Sequence, residues 1–192
     1  MDLEKLLRRS VRGMEPPTYP GPERGVLRMD ANTNLIGRNP AVERAARRLS
    51  EIDLNQYPSC LSDELRAAIG REHGLDPDEV LVGDGSDEVL DVVCKAFLNP
   101  GDAVACPTPS FVMYAFFGKL HLGQVVEVPL RRPGWTLDVE GILSARPKVV
   151  FVASPNNPTG NAAPAADLER LLREASGIVI IDEAYADFCD QD

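Results

Sequence analysis

No apolar run in the 192 residues approaches the roughly 20 that a membrane-spanning helix requires. The opening residues, Met1-Asp2-Leu3-Glu4, have neither a basic n-region nor an apolar h-region, so no secretory signal is expected and a cytoplasmic protein is. Histidine occurs only at His73 and His121, and Cys60, Cys94, Cys106 and Cys189 are scattered with no CxxC pair. That pattern speaks against a metal centre or a disulfide framework and for buried, reduced thiols. Positive charge is in deficit: the formal net charge is −10, which would repel a nucleic-acid backbone. Arg8, Arg9, Arg12, Arg44, Arg47 and Arg48 read as solvated helix faces. There is no GxxxxGK[ST] phosphate loop, no internal repeat and no low-complexity tract. The length allows one sizeable domain and the 44% apolar fraction suits a globular chain.

What is present becomes regular from Glu79 onward. Short apolar runs alternate with helical spacing, which predicts a doubly wound, mostly parallel α/β sheet. Strands are expected at 80–83, 103–106, 124–128, at the run ending Phe151-Val152-Ala153, and at Gly177-Ile178-Val179-Ile180-Ile181. Helices are expected at 86–97, 109–120 and 164–176. Continuous apolar runs of this kind are strands covered on both faces. Ahead of them, Leu3, Leu6, Leu7 and Val11 share a helical face. An extended arm follows, carrying Pro16, Pro17, Pro20 and Pro22. Then come a polar turn at 30–37 and helices over about 40–52 and 61–72, the second ended by Gly74. The expected division is a helix and arm over 1–38 and part of a large domain over 39–192.

In open α/β sheets ligands bind beyond the carboxyl ends of the strands, so the residues there are the candidates. After 80–83 comes Gly83-Asp84-Gly85-Ser86-Asp87-Glu88. Ser86 or Asp87 would cap the next helix, whose free N–H groups suit a phosphate. An ordinary capped turn explains the same residues, and Glu88 stands where a dinucleotide fingerprint has its third glycine. Phe111, after the second strand, could stack on a flat ring, or could belong with Tyr114, Phe116 and Phe117 to a helix core. Asp182 ends a buried aliphatic strand, where a carboxylate needs a cation or donors. A pyridinium nitrogen is one such partner; bridging of neighbouring loops is the alternative. Asn157 and Tyr185 could both donate to a ring oxygen.

Ser154-Pro155-Asn156-Asn157-Pro158-Thr159-Gly160 followed by Asp182-Glu183-Ala184-Tyr185 resembles the fold type I pyridoxal-phosphate aminotransferases. The segments 109–114, 55–58, 30–34 and 135–138 resemble their histidinol-phosphate branch, and the resemblance runs from about Gly13 to the last residue. The resemblance implies pyridoxal 5'-phosphate as cofactor. Ser86 and Asp87 would hold its phosphate, Phe111 would stack on its ring, and Asn157 and Tyr185 would meet its 3-oxygen. Asp182 would pair with the ring nitrogen. Tyr57 would reach the cofactor phosphate of a neighbouring subunit in a homodimer, and Asn157–Pro158 would be a cis bond. The partners implied are an amino donor, histidinol phosphate, and a 2-oxo acid, 2-oxoglutarate. An aromatic amino-acid aminotransferase or a phosphothreonine decarboxylase would share most of this pattern. Two departures bear on the substrate: Asn32-Thr33-Asn34-Leu35 replaces the family's usual segment, and the arm's tyrosine is shifted to Tyr19.

The family also requires a Schiff-base lysine. Lys5, Lys95, Lys119 and Lys148 are the only lysines, and none is expected at the site. The catalytic lysine and the substrate arginines are expected beyond Asp192, with the later strands and a small C-terminal domain. On that reading 192 residues are the front of an aminotransferase, or a non-catalytic remnant acting as a binding module. The isolated chain is expected to be unstable and inactive, with residues 80–83 lacking ladder partners.

Overall fold

Every residue of the strand Val149–Ala153 is buried, and the computed structural model is arranged around it. The structure describes residues 3–15, 21, 25–27, 29, 31–34, 36–53 and 55–189. The proline-rich part of the arm, with Tyr19, and residues Asp30 and Leu35 of the expected turn lie outside these.

The described chain forms helices α1 (Pro40–Arg48), α2 (Asp63–His73), α3 (Gly85–Phe97), α4 (Met113–Leu120), α5 (Val139–Ser144) and α6 (Ala165–Glu174). Its strands are β1 (Ala103–Thr108), β2 (Gln124–Pro129), β3 (Val149–Ala153) and β4 (Ile178–Asp182). The four strands make one sheet in the order β2-β1-β3-β4, and every pairing is parallel. Two compact units emerge. One comprises the N-terminal residues to Met14 with everything from Gly83 onward, and the other is Glu15–Val82.

In the first unit the period-2 alternation of β3 sends side chains to two separate cores. Val149, Phe151 and Ala153 join Val104 and Cys106 of β1 under α3 and α4, through Leu90, Cys94, Met113, Tyr114 and Phe117. Val150 and Val152 join Ala105 and Val128 on the opposite face, under α5 and α6, through Val139, Ile142 and Leu171. Burial of each such aliphatic or aromatic side chain is worth about 1.5–3 kcal/mol. Helices on both faces of a parallel sheet are the doubly wound arrangement expected from the alternation. Gly118 lets α4 lie close on the sheet, since a Cβ there would stand 2.8 Å from Val125 Cγ2.

Several features differ from the sequence-based expectation. Residues 80–83 form no strand, because no described residue makes a ladder with them; Val80 is extended, its carbonyl accepts from Arg66 Nε at 2.9 Å, and Leu81 is exposed. The short helix α5 was not foreseen; Asp138 caps it by accepting from the Gly141 N–H at 3.0 Å. The helix expected from 109 begins only at Met113, after a cis Thr108–Pro109 bond. Of the cysteines, Cys94 and Cys106 are buried, and burial raises both thiols to a pKa of about 11, but Cys60 is exposed. The N-terminal segment is a 3-10 turn, Leu3–Leu6, with its leucines exposed.

In the second unit Gly74 ends α2 in the left-handed region, φ 68°. Asp76 and Glu79 form a capping box on the next turn. The Arg66 side chain, little exposed, reaches Asp78 Oδ1 at 3.0 Å.

Two stability predictions follow from these contacts. A Cβ on Gly177, where the chain leaves α6 for β4, would lie 2.2 Å from the Lys148 carbonyl oxygen. Backbone cannot give way as a side-chain tip can, so Gly177→Ala is expected to cost about 1–3 kcal/mol, read as a lower urea midpoint. Asp91 of α3 binds His121 Nε2 at 2.6 Å, just after α4, and also bonds Lys95. Burial pushes its carboxyl up, but the bonds from Lys95 and His121 outweigh that and hold it below the ordinary value of 3.8. A carboxylate lowered in the folded state adds stability that is present above about pH 4 and is lost as the pH falls through the lowered value. Urea midpoints measured between about pH 6 and 2 should therefore fall less steeply in Asp91→Asn than in the parent chain.

Candidate functional site

Parallel strands joined by crossover helices put all their carboxyl ends along one edge. There, β1 runs into residues 109–111, β3 into 154–160 and β4 into 183–185. Helix α3 brings a fourth segment to that edge. Its C-terminus connects through the turn 98–102 to the start of β1, and Leu90 and Cys94 lie on the sheet face. Running back over 13 residues, about 20 Å at 1.5 Å per residue, it places its N-terminus at the carboxyl end of the six-residue β1.

Asp182 is the last residue of β4 and is half-buried. Its backbone carbonyl accepts from the Ser154 N–H at 2.9 Å, which sets the start of the 154–160 loop beside it. Its carboxylate has two donors: the Tyr114 hydroxyl gives to Oδ2 at 2.7 Å, and the Ala184 N–H gives to Oδ1 at 3.0 Å. Each oxygen keeps a second lone pair for a further donor. Tyr114 is 1% exposed. Its ring stacks on Phe151 at 5.2 Å and 7°, and meets Phe111 edge-on at 5.5 Å and 84°. Burial, followed by the bond to Asp182 and that residue's charge, raises the phenol's pKa well above its ordinary value. Tyr114 is therefore a neutral donor at any physiological pH.

Phe111 is half-buried, ahead of α4 and not inside it, and packs against the core under α3 and α4. The core reading of it thus holds, and its half-burial leaves part of the ring facing outward. Ser86 and Asp87 do not cap α3. Asp84 is the N-cap residue, and Ser86 and Asp87 lie in the exposed first turn, after Gly85 at φ 77°. The Glu88 carboxylate accepts from the Asp84 N–H. First-turn N–H groups without intrahelical acceptors, and the positive end of the helix dipole, remain suited to an anion.

Asn157 is half-buried and its bond to Pro158 is cis, as is Ser154–Pro155. Tyr185 is half-buried after the β4 end and close enough to Tyr114 to act on its phenol electrostatically. The structure thus brings Phe111, Asp182 and Tyr185 together around Tyr114, with Asn157 on the adjoining loop and the α3 N-terminus on the same edge. Tyr57 belongs to the second unit, where its ring is exposed.

Two residues of this edge were not singled out from the sequence. Tyr114 is one, considered there only as helix core. The other is Asn156, which is 7% exposed. Its Oδ1 accepts from Ser110 Oγ at 2.6 Å, and its Nδ2 gives to the Pro109 carbonyl at 3.1 Å and to Thr159 Oγ1 at 2.8 Å. Thr159 in turn gives to Asn161, whose amide reaches the Trp135 carbonyl at 3.1 Å. The two neighbouring asparagines therefore differ: Asn156 ties the β1 and β3 loops together, and Asn157 is half-buried beside it. Asn156→Ala strands the Ser110, Pro109 and Thr159 partners in a part-buried network. It is expected to destabilise by about 1–3 kcal/mol, which a thermal or urea titration will register.

Comparison with known proteins places this edge in context. The family model "Aminotransferase class I and II" matches residues 24–192. A histidinol-phosphate aminotransferase of Dehalococcoides mccartyi is 33% identical over 199 aligned positions, covering 99% of this chain and 54% of its own length. One from Ralstonia nicotianae is 40% identical, with 97% and 52% covered. The crystal structure of histidinol-phosphate aminotransferase from Sinorhizobium meliloti, in complex with pyridoxal 5'-phosphate, superposes with a TM-score of 0.76. It is 26% identical, with 84% of this chain and 45% of that one covered. An aspartate aminotransferase from Thermotoga maritima reaches a TM-score of 0.71 at 32% identity, covering 79% and 44%. The chain spans about half the length of the curated relatives it matches. On the family match and these relatives, the chain belongs to the class I and II aminotransferases.

Proposed function

We propose that this chain forms the cofactor-binding part of a pyridoxal-phosphate aminotransferase that moves an amino group between histidinol phosphate and 2-oxoglutarate. The observation that carries the reading is the Asp182 carboxylate. It stands at the carboxyl end of a parallel strand, held by two donors, with lone pairs to spare and an aromatic residue, Phe111, within one side chain of it. A heteroaromatic ring with a protonated nitrogen answers that arrangement. Bound pyridoxal phosphate supplies an electron sink at the substrate's α-carbon, and a carboxylate beside its ring nitrogen favours the protonated ring on which that depends.

The remaining residues take the roles their positions allow. The first turn of α3, at Ser86 and Asp87, meets the phosphate; Phe111 covers one face of the ring; Asn157 and Tyr185 donate to the 3-oxygen. Tyr57 reaches the phosphate of a second subunit, in a homodimer working in the cytoplasm. Residues 1–38 are the helix and arm, and 39–192 part of the large domain.

Proton transfer at the substrate calls for a lysine. Lys95 lies in the last turn of α3, paired with Asp91; Lys119 is in the last turn of α4; Lys148 immediately precedes β3. These three belong to the amino edge of the sheet and Lys5 is exposed in the 3-10 turn Leu3–Leu6, so none of the four is assigned the role, and the 192 residues alone are expected to turn over no amino donor. Histidinol phosphate is favoured over other donors by the named relatives, which are histidinol-phosphate aminotransferases over nearly the whole of this chain.

The reading is tested by titrating the purified protein with pyridoxal phosphate and following absorbance and tyrosine fluorescence. Asp182→Asn keeps the shape and an acceptor for Tyr114 but removes the charge, and should bind the cofactor roughly ten-fold or more weakly. Equal affinity in the two proteins would refute the role of Asp182. Assays of the active enzyme with histidinol phosphate, aspartate and alanine as alternative donors decide the substrate.

A further inference from the structure

The contact that stands out on this edge joins two residues 68 positions apart, Tyr114 and Asp182. Tyr114 is almost wholly buried, and its ring is fixed on two sides by Phe151 of β3 and Phe111. Such a ring has no freedom to swing, so its hydroxyl is a donor at a set place. The carboxylate it meets is on β4, which among the described residues is laddered to β3 and is half-buried throughout. Without the phenol, the Asp182 side chain would be held only by the Ala184 N–H on Oδ1, and Oδ2 would be free to turn.

We propose that Tyr114 is a positioning residue for the cofactor. Its hydroxyl orients the Asp182 carboxylate toward the ring nitrogen, while its ring edge sets the angle of Phe111, so that one side chain aligns both groups that receive the heteroaromatic ring. The inference rests on the cofactor reading above. Two features support it beyond the distance. The phenol remains protonated, because burial and the neighbouring carboxylate oppose its ionisation, so the bond keeps one polarity. A neutral donor on Oδ2 also brings no charge of its own, so it does not compete with a pyridinium for the carboxylate.

The role predicts a chemical selectivity that a packing role does not. Tyr114→Phe removes one oxygen and keeps both ring contacts. In the purified protein it is expected to weaken pyridoxal phosphate binding roughly ten-fold, the order of one hydrogen bond to a charged group. It should leave within about two-fold the affinity for the 1-deaza analogue, which has C–H in place of the ring nitrogen. Loss of affinity for both compounds alike, or for neither, overturns the inference while the cofactor reading stands. A parent protein that binds no pyridoxal phosphate, or binds the two compounds equally, overturns both. Should Tyr114→Phe fail to fold, 3-fluorotyrosine placed at position 114 keeps the shape and changes only the strength of the donor. A change confined to pyridoxal phosphate then supports the role, and an equal change for the two compounds defeats it.

Discussion

Covering β3 on both faces is the constraint on which the rest of the structure depends. Its five residues are buried, so its backbone polar groups must be paired within the sheet, and β1 and β4 pair with them on either side. Its side chains must find apolar cover on both sides, and the helix pairs α3 and α4, α5 and α6 provide it. A strand so enclosed can carry nothing polar along its length. Chemistry is pushed to where it ends, and the change from Phe151-Val152-Ala153 to Ser154-Pro155-Asn156-Asn157 marks that boundary.

Beyond the boundary, polar residues differ in depth and in how they are held. Asn156 is buried with its amide engaged on both sides, so it joins loops that are 46 and 47 residues apart in sequence. Asn157, one residue on, is only half-buried. The same difference in depth separates Tyr114, almost wholly buried, from the half-buried Tyr185. The deeper residue of each pair is tied by its polar atoms to a segment dozens of residues away.

Much of this was legible in the sequence. The βαβ order, the parallel sheet and the strand-end location of Phe111, Asn157, Asp182 and Tyr185 follow from periodicity and from where apolar runs stop. The strand expected at 80–83 did not form, because an apolar run specifies only a preference for the extended state, and a strand also needs a neighbour with which to share hydrogen bonds. Helix α5, at six residues, is too short to show a period; only its Asp138 cap could have signalled it. Asn156 and Tyr114 escaped for a different reason. Their partners are dozens of residues away, and no local pattern distinguishes an asparagine that faces a ligand from one that faces Ser110 and Pro109, or a core tyrosine from one whose hydroxyl meets a carboxylate.

That last distinction bears on how a site can be built on the edge of a sheet. Asp182 sits on β4, whose residues are half-buried throughout where those of β3 are buried. A less covered strand fixes a side chain at its tip less firmly than β3 would. Helix α4 offsets this by starting at the same edge with a buried tyrosine, itself locked against Phe151 of the best-covered strand. The carboxylate's position is thereby referred to β3 twice, through the Ala153–Asp182 ladder pair and through Phe151 and Tyr114. A carboxylate on the less covered strand is thereby tied to the more buried one.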